Sequence, residues 1–444
     1  MNGNRYGKAF NLLLILLAAL CLAPSLVAAE NVVPGALKVD TGDTAWLLIS
    51  TALVMLMTPG LALFYAGMVR SKNVLGTIMH SFFAIALVSV QWILLGYSLS
   101  FGPDVHGVIG SLSWIGLSNV GLVPNADYAP TIPHLLFMAY QMMFAVITPA
   151  LISGAFAERM KFSGYIIFTL AWTTLVYDPV AHWVWGTGGW LKQLGVLDFA
   201  GGIVVHATSG FSALAAALFI GKRKGFLQEH MPPHDLPLTV IGAGLLWFGW
   251  FGFNAGSALS SGGLATMAFI TTHTAAASAT ITWTLIEWLH RGKPTMFGAA
   301  TGAIAGLATI TPAAGFVGPM PALVIGIFAG VLCYTALNAK NRFKYDDSLD
   351  AFGVHGVGGT LGTIMAGVFA SLAINAAGAN GLLFGNPKQL AIQVGAVALV
   401  AAYSFGVSMV LFKGIDVLIG IRVSKDEETE GLDISQHGEA GYTH

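Results

Sequence analysis

The sequence predicts an all-α membrane protein of eleven transmembrane helices, arranged as a five-plus-five inverted repeat with the last helix outside it. Three observations lead there. Hydrophobic residues fill 55% of the 444 positions and charged residues only 9%, whereas a soluble domain coats its core with about 25% charged residues. Lipid is therefore the expected solvent. Eleven apolar runs are long enough to cross a bilayer, at about 20 residues per helical crossing. Basic residues gather after alternate runs, which is how successive helix ends take turns facing the cytoplasm. The net charge of -1 leaves no basic field for nucleic acid, and the 55 glycines suit close helix contacts in a membrane.

In chain order, residues 1–29 read as a secretory signal. Arg5 and Lys8 precede an apolar stretch from Leu12 to Ala23, and Val27, Ala28 and Ala29 precede a cut at Glu30. Cys21 follows Leu20 and lacks the small neighbour of a lipoprotein site; once the signal is removed Cys333 is the single cysteine, so no intrachain disulfide can form. The membrane domain is expected over 30–421. Its spans fall at 45–69, 78–101, 134–157, 163–186, 201–220, 239–259, 264–289, 297–314, 319–338, 352–373 and 389–421. The last is too long for an upright crossing and must tilt or project.

Arg70/Lys72, Arg159/Lys161, Lys222/Arg223/Lys224, Arg291/Lys293, Lys340/Arg342/Lys344 and Arg422/Lys425 follow the odd-numbered spans, against only Lys38, Lys192 and Lys388 on the other side. The positive-inside rule makes the first group cytoplasmic. The mature N-terminus is then periplasmic and the C-terminus cytoplasmic, in a cell inner membrane, as a cleaved signal requires.

The polar, proline-containing stretch 221–238 divides the spans into a first half, 42–220, and a second half, 239–373, with 389–421 left over. Phe64-Tyr65-Ala66-Gly67 in the first span is echoed by Phe253-Asn254-Ala255-Gly256 in the sixth, and Val205-His206 in the fifth by Val354-His355 in the tenth. A repeat with an odd number of spans inserts in opposite senses, and such folds place a substrate path between their halves.

Ionisable groups at membrane depth usually face a cavity or a partner, which singles out His206 and His355. His206 lies eight residues past Asp198, about 12 Å into its helix at 1.5 Å per residue. His355 is only five residues past Asp350 and by the same count sits nearer the cytoplasmic end. Two unrelated histidines with local hydrogen bonds are the plainer reading; their matching positions in the two halves favour a pair. Other polar residues read as structure. Glu287 and Arg291 form a helix-surface pair, and Glu158 with Arg159 closes the third span in the same way. His134, His182, His230 and His234 lie near span ends or in a loop, and Gly326 with Gly330 forms a packing face. With no HExxH, phosphate-binding glycine loop or CxxC pair, no cofactor, metal or enzymatic role is expected. The tail 422–444, with Asp426, Glu427, Glu428 and Glu430, has the composition of a mobile, solvated segment.

The segments Asp198 to His206, Trp247 to Ser257, Asp350 to Gly356, and Gly420 to Val423 with Gly431 to Asp433 and His437 to Glu439 closely resemble the signatures of the ammonium transporter (Amt) family. The likeness runs from about residue 42 to the C-terminus. It implies a homotrimer that carries ammonium or ammonia. By that resemblance His206 and His355 are twin histidines lining an apolar pore, and Phe144 and Phe253 form a stacked phenyl gate. Trp185 and Ser257, with Phe144, make an outer ammonium site, while Asp198 supports local structure. It also implies that a PII-type signalling protein docks on the cytoplasmic tail. Taken singly, Trp185 and Phe144 read as an interface tryptophan and a packing phenylalanine, and Ser257 as a helix contact. Asp178 receives no role. An ammonium sensor is the alternative, although a 23-residue tail is too short for an appended signalling domain. Other inverted-repeat transporters favour charged coupling sites in broken helices. A Rhesus-like gas channel fits less well because of Trp185.

Overall fold

The structure, a computed structural model, describes residues 37–442; the expected signal at 1–29 lies outside them. Helical rods follow one another through most of this length. We label them α1 (Thr41–Met68), α2 (Ser71–Phe101), α3 (His134–Phe156), α4 (162–185), α5 (Gly202–Ile220), α6 (Leu236–Ala258), α7 (Gly263–Arg291), α8 (Met296–Ile310), α9 (Pro319–Phe343), α10 (Phe352–Phe369) and α11 (Pro387–Ile419). Among the described residues eight of these, all but α4, α7 and α8, are both long and apolar enough to cross a membrane. A π-helical segment, Thr173–Tyr177, divides α4, and α8 has only 15 residues. The α2–α3 connection adds two small antiparallel hairpins, Asp104–Val105 with Ile109–Gly110 and Pro124–Asn125 with Ala129–Pro133, which the all-helical expectation did not contain.

Helix starts follow side-chain caps. Asp40 accepts from the Asp43 N–H, Asp235 from that of Leu238, and Thr295 from that of Gly298, each satisfying one otherwise orphaned donor of a first turn. Close packing rests on glycine where lipid gives apolar surfaces no reason to associate. A methyl group at Gly242 of α6 would overlap the backbone of Phe64 in α1, and Gly326 and Gly330 of α9 lie directly against Ala275 and Ala279 of α7. The Gly326/Gly330 face thus packs a helix, as its spacing suggested.

Two expectations need correction where the ends of α3 and α11 meet. Glu158 and Arg159 are not a surface pair; they are 1% and 0% exposed, and each has partners far along the chain. The Glu158 carboxylate accepts from the Arg70 N–H at 2.7 Å and pairs with the Arg70 and Arg223 guanidiniums at 2.7 and 3.5 Å. Arg159 donates to the carbonyls of Ala155, Ala157, Gly221 and Asp346 and to the Ser348 hydroxyl. A left-handed backbone at Glu158 (φ 73°) turns the two side chains inward in succession. Burial alone would raise the Glu158 carboxyl, but Arg223 and Arg70 outweigh it and hold the carboxyl below its ordinary range. Asp346 is lowered in the same way, against burial, by Arg159 and Arg223.

The tail, expected from composition to be mobile, is folded against these loops. Residues Lys425–Glu430 and Leu432–His437 form two short helices, the first opened by a capping box of Ser424 and Glu427. Glu428, 2% exposed, accepts from the Lys224 N–H at 2.6 Å and from Arg422 at 2.8 Å. Asp433 accepts from the Gly76 N–H at 2.8 Å, and the Leu432 N–H donates to Asn73 at 2.8 Å. Composition misled because the acids are satisfied by backbone and arginine donors from elsewhere in the chain.

Removing one member of a buried ion pair typically costs about 3–5 kcal/mol, so Glu158→Gln should lower the apparent melting temperature in detergent. Because the Glu158 and Asp346 carboxyls are lowered in the folded protein, their contribution is complete above the ordinary carboxylate pKa. It is lost as the pH falls through the lowered values. Melting curves from pH 7 to pH 3 should show this acid-side loss in the wild type and less of it in Glu158→Gln.

Candidate functional site

Two helices that begin inside the protein deliver the paired histidines. At α5 the chain turns at Gly201 with φ 117°, and the Asp198 carboxylate accepts four successive backbone N–H groups, of Gly201, Gly202, Ile203 and Val204, at 2.8, 2.7, 2.8 and 3.1 Å. The matching residue at α10 is Asp347, which accepts from Ala351 and Phe352 at 3.1 and 2.8 Å. Each aspartate stands eight residues ahead of its histidine. Asp350 does not serve this purpose; its carboxylate is paired with Lys340. Counting from Asp350 therefore started three residues past the aspartate that caps this helix. The loop before α10 is itself recessed, with Asp346 and Asp347 each 1% exposed.

Both helices open as π segments, Gly202–Ala207 and Phe352–Gly356, with the histidine inside each. Glycines let them touch. A methyl group at Gly210 would overlap the backbone of Gly356, and one at Gly359 would overlap Gly202 and His206.

The two imidazoles meet at the centre. His206 Nδ1 lies 3.2 Å from His355 Nδ1, with ring centroids 5.2 Å apart and planes at 17°. A hydrogen bond between two Nδ1 atoms needs one donor and one acceptor, so neutral rings must hold opposite tautomers. Their outer nitrogens then present one donor and one acceptor to whatever lies alongside. His206 Nε2 is buried and has no hydrogen-bond partner. Its ring stacks on Trp250 at 5.5 Å, whose indole N–H donates to Thr311 at 2.9 Å. Met57, Leu61, Ile147, Leu151, Leu246 and Ile304 join the histidines around a void of about 10 Å³. That is about the room one water needs, and its walls are otherwise apolar.

Above the histidines Phe144 and Phe253 pack together with centroids 4.3 Å apart and planes tilted at 33°, 1% and 0% exposed. Phe253 also lies over His206 at 6.0 Å. Phe144 meets Trp185 edge-on at 5.9 Å and 90°. Beyond this pair opens a cavity of about 150 Å³ lined by Trp185, Ser257, Phe144, Gln141, Phe101, Phe137, Phe199, Leu259, Asp127, Tyr128 and Lys192. The Trp185 indole N–H is committed to the Asp198 carbonyl at 2.9 Å. The Ser257 hydroxyl donates to the Phe253 carbonyl at 2.8 Å, so its oxygen remains an acceptor. His355, His206, Phe253, Phe144 and Trp185 thus follow one another in ring contact, Ser257 lines the cavity beyond, and Asp198 holds both the α5 start and Trp185 from outside this series.

The sequence reading missed several neighbours. Tyr140 places its hydroxyl 2.9 Å from the carbonyls of Gly252 and Phe253 and 3.2 Å from Ser257, and Gln141 turns a buried, unpartnered Oε1 into this region. They stand four and three residues before Phe144, the same face of α3. The residues left without a role do lie outside this series. Asp178 is bonded to Gln91 at 2.8 Å and Ser100 at 3.4 Å. His182 contacts Ser100 and Asp104, His134 contacts Tyr97 and His234 the Val69 carbonyl, while His230 is exposed. Among the described residues no group of three metal-ligating side chains gathers.

Comparison with known proteins points in one direction. Residues 45–442 match the model of the Ammonium Transporter Family. The chain is 53% identical over 402 residues to an ammonium transporter of Bacillus subtilis, covering 90% of this chain and 98% of that protein. It is 52% identical to ammonium transporter Amt1 of Archaeoglobus fulgidus, covering 90% and 99%. Among solved structures it superposes on Saccharomyces cerevisiae Mep2 with a TM-score of 0.85 at 36% identity, covering 91% of this chain and 93% of that one. It also superposes on a structure described as a sensor Amt protein with a TM-score of 0.82 at 30% identity, covering 89% and 98%.

The carboxylate caps can be tested directly. Losing a helix cap typically costs about 0.5–2 kcal/mol, and more when buried donors are stranded. Asp198→Ala and Asp347→Ala should each lower the apparent melting temperature. An unchanged curve for either would mean that its N–H groups find other partners.

Proposed function

This chain belongs to the Ammonium Transporter Family, a transport family rather than an enzyme family, and from that premise we propose how it moves its substrate. Ammonium is recruited in the outer cavity by Trp185, Phe144 and the Ser257 oxygen, loses a proton at the Phe144/Phe253 pair, and passes along His206 and His355 as ammonia. The observation that carries this reading is the continuity of three elements, an aromatic cavity, a closed phenyl pair and a hydrogen-bonded imidazole pair in an apolar passage.

The energetics favour the order. A cation over an aromatic face gains about 0.5–2 kcal/mol, and a hydroxyl oxygen accepts one of its N–H bonds. Below the phenyl pair, a bare cation in low dielectric costs up to tens of kcal/mol. Deprotonating an amine with the pKa of lysine costs about 4–5 kcal/mol at pH 7, and ammonium, a stronger acid, costs less. Deprotonation wins. Ammonia then needs a donor and an acceptor, which the opposed tautomers supply, and the imidazole pair can relay the released proton by exchanging tautomers across its Nδ1–Nδ1 hydrogen bond. Potassium has no proton to lose.

The reading takes the rods α1–α11 as eleven crossings of a cell inner membrane, with the N-terminus periplasmic and the C-terminus cytoplasmic. It takes the halves as inverted repeats and the assembly as a homotrimer with one pore per subunit. The alternation of basic loops supports the topology. The eight-residue aspartate-to-histidine spacing shared by α5 and α10 supports the repeat. A PII-type signalling protein is the proposed partner at the cytoplasmic face, where the folded tail offers a ready surface. Ammonium sensing is a second reading, favoured by the sensor Amt neighbour.

In proteoliposomes on a solid-supported membrane, ammonium and methylammonium should drive flux and potassium should not. His206→Ala and His355→Ala should each reduce ammonium flux at least about tenfold, the effect of 1.4 kcal/mol on a barrier. Potassium currents comparable with ammonium currents would overturn the mechanism. The cognate PII protein should be retained by the full chain and not by a chain ending at residue 421.

A further inference from the structure

The outer cavity already contains a cation. Lys192 lies on the short helical turn Trp190–Leu194, in the connection between α4 and α5. Its Nζ donates to the Trp185 carbonyl at 3.0 Å and sits 5.8 Å from the centre of the Tyr128 ring. Lys192, Tyr128 and Trp185 line the same cavity as Ser257 and Phe144. A lysine head group is an alkylammonium ion, and here it is solvated by a carbonyl oxygen and an aromatic face. Those are the contacts such a cavity offers a free ammonium ion. Burial lowers the Lys192 pKa while Asp127, lining the same cavity, raises it. Lys192 is nevertheless exposed at the rim of the cavity, so its field acts most strongly at low ionic strength.

We propose that Lys192 is a tethered cation that weakens ammonium binding in the outer cavity by charge repulsion, and that Asp127 partly offsets it. This inference rests on the recruitment of ammonium proposed above. Two unit charges facing each other across a part-solvated cavity repel enough to weaken binding by about three- to tenfold. The effect tunes the site toward release rather than retention, so the ion leaves readily toward the phenyl pair. The competing account is purely structural. Lys192 could serve only to cap the last carbonyls of the helix Asp178–Trp185. Its loss would then loosen Trp185 and weaken ammonium binding. The two accounts differ in sign.

The test measures the half-saturating ammonium concentration from currents of the full chain in proteoliposomes, at low and high ionic strength. The variants are Lys192→Gln, Lys192→Arg and Asp127→Asn. Lys192→Gln should lower the half-saturating concentration about three- to tenfold at low salt and flatten its salt dependence. Lys192→Arg should behave as the wild type, and Asp127→Asn should raise the value. An unchanged or raised value in Lys192→Gln overturns the inference while ammonium currents in the wild type leave the transport reading standing. A wild type without ammonium current overturns both. Should Lys192→Gln not assemble, Asp127→Asn carries the opposite-signed readout alone, and no rise there overturns the proposal.

Discussion

A helix that starts inside a protein, away from bulk water, leaves several backbone N–H groups without partners, and each stranded donor is costly. Here two helices start in that way, and an aspartate meets each of them. Asp198 receives four N–H groups and Asp347 two. These bonds determine where α5 and α10 begin, and therefore where His206 and His355 point. The 3.2 Å contact between the rings follows from two carboxylates that never touch the passage. Asp198 extends the same control outward, because its own carbonyl fixes the Trp185 indole. One residue thus links the inner passage to the outer cavity.

The void beside the histidines offers little polarity. Its wall is aliphatic and aromatic apart from two imidazole edges, and its volume of about 10 Å³ is about the room one water needs. Flexible side chains would fill such a void, so rigidity has to come from the surroundings. Glycine contacts between the two π segments and the stacked Trp250 and Phe253 provide it. A π segment closes each hydrogen-bonded loop over one residue more than an α-helix and often marks a functional site. Both histidines occupy such segments.

Much of this was legible in the sequence. The apolar runs and the alternating basic residues located the helical rods, because hydropathy reports burial in lipid directly. The Val-His echo singled out both histidines, and the family resemblance singled out Phe144, Phe253, Trp185, Ser257 and Asp198. What escaped depended on three-dimensional closure. Asp350 was the conspicuous acid before His355, but the cap is Asp347, and only the eight-residue spacing from Asp198 to His206 could have shown it. Gln141, Tyr140 and Lys192 carry no motif; they matter because of the cavity they share. The tail looked solvated because composition cannot reveal that Glu428 will meet Arg422 and the Lys224 backbone.

The docked tail also has a bearing on biosynthesis. The Gly76 amide, made early, finds its acceptor in Asp433, 357 residues later, and the Asn73 side chain likewise waits for Leu432. Contacts of such long range form late, after the entropy of closing the intervening loop has been overcome. The start of the second helix therefore stays unsealed until residues 432–433 have been made. Before then the Gly76 and Lys224 amides lack the acceptors that Asp433 and Glu428 later supply.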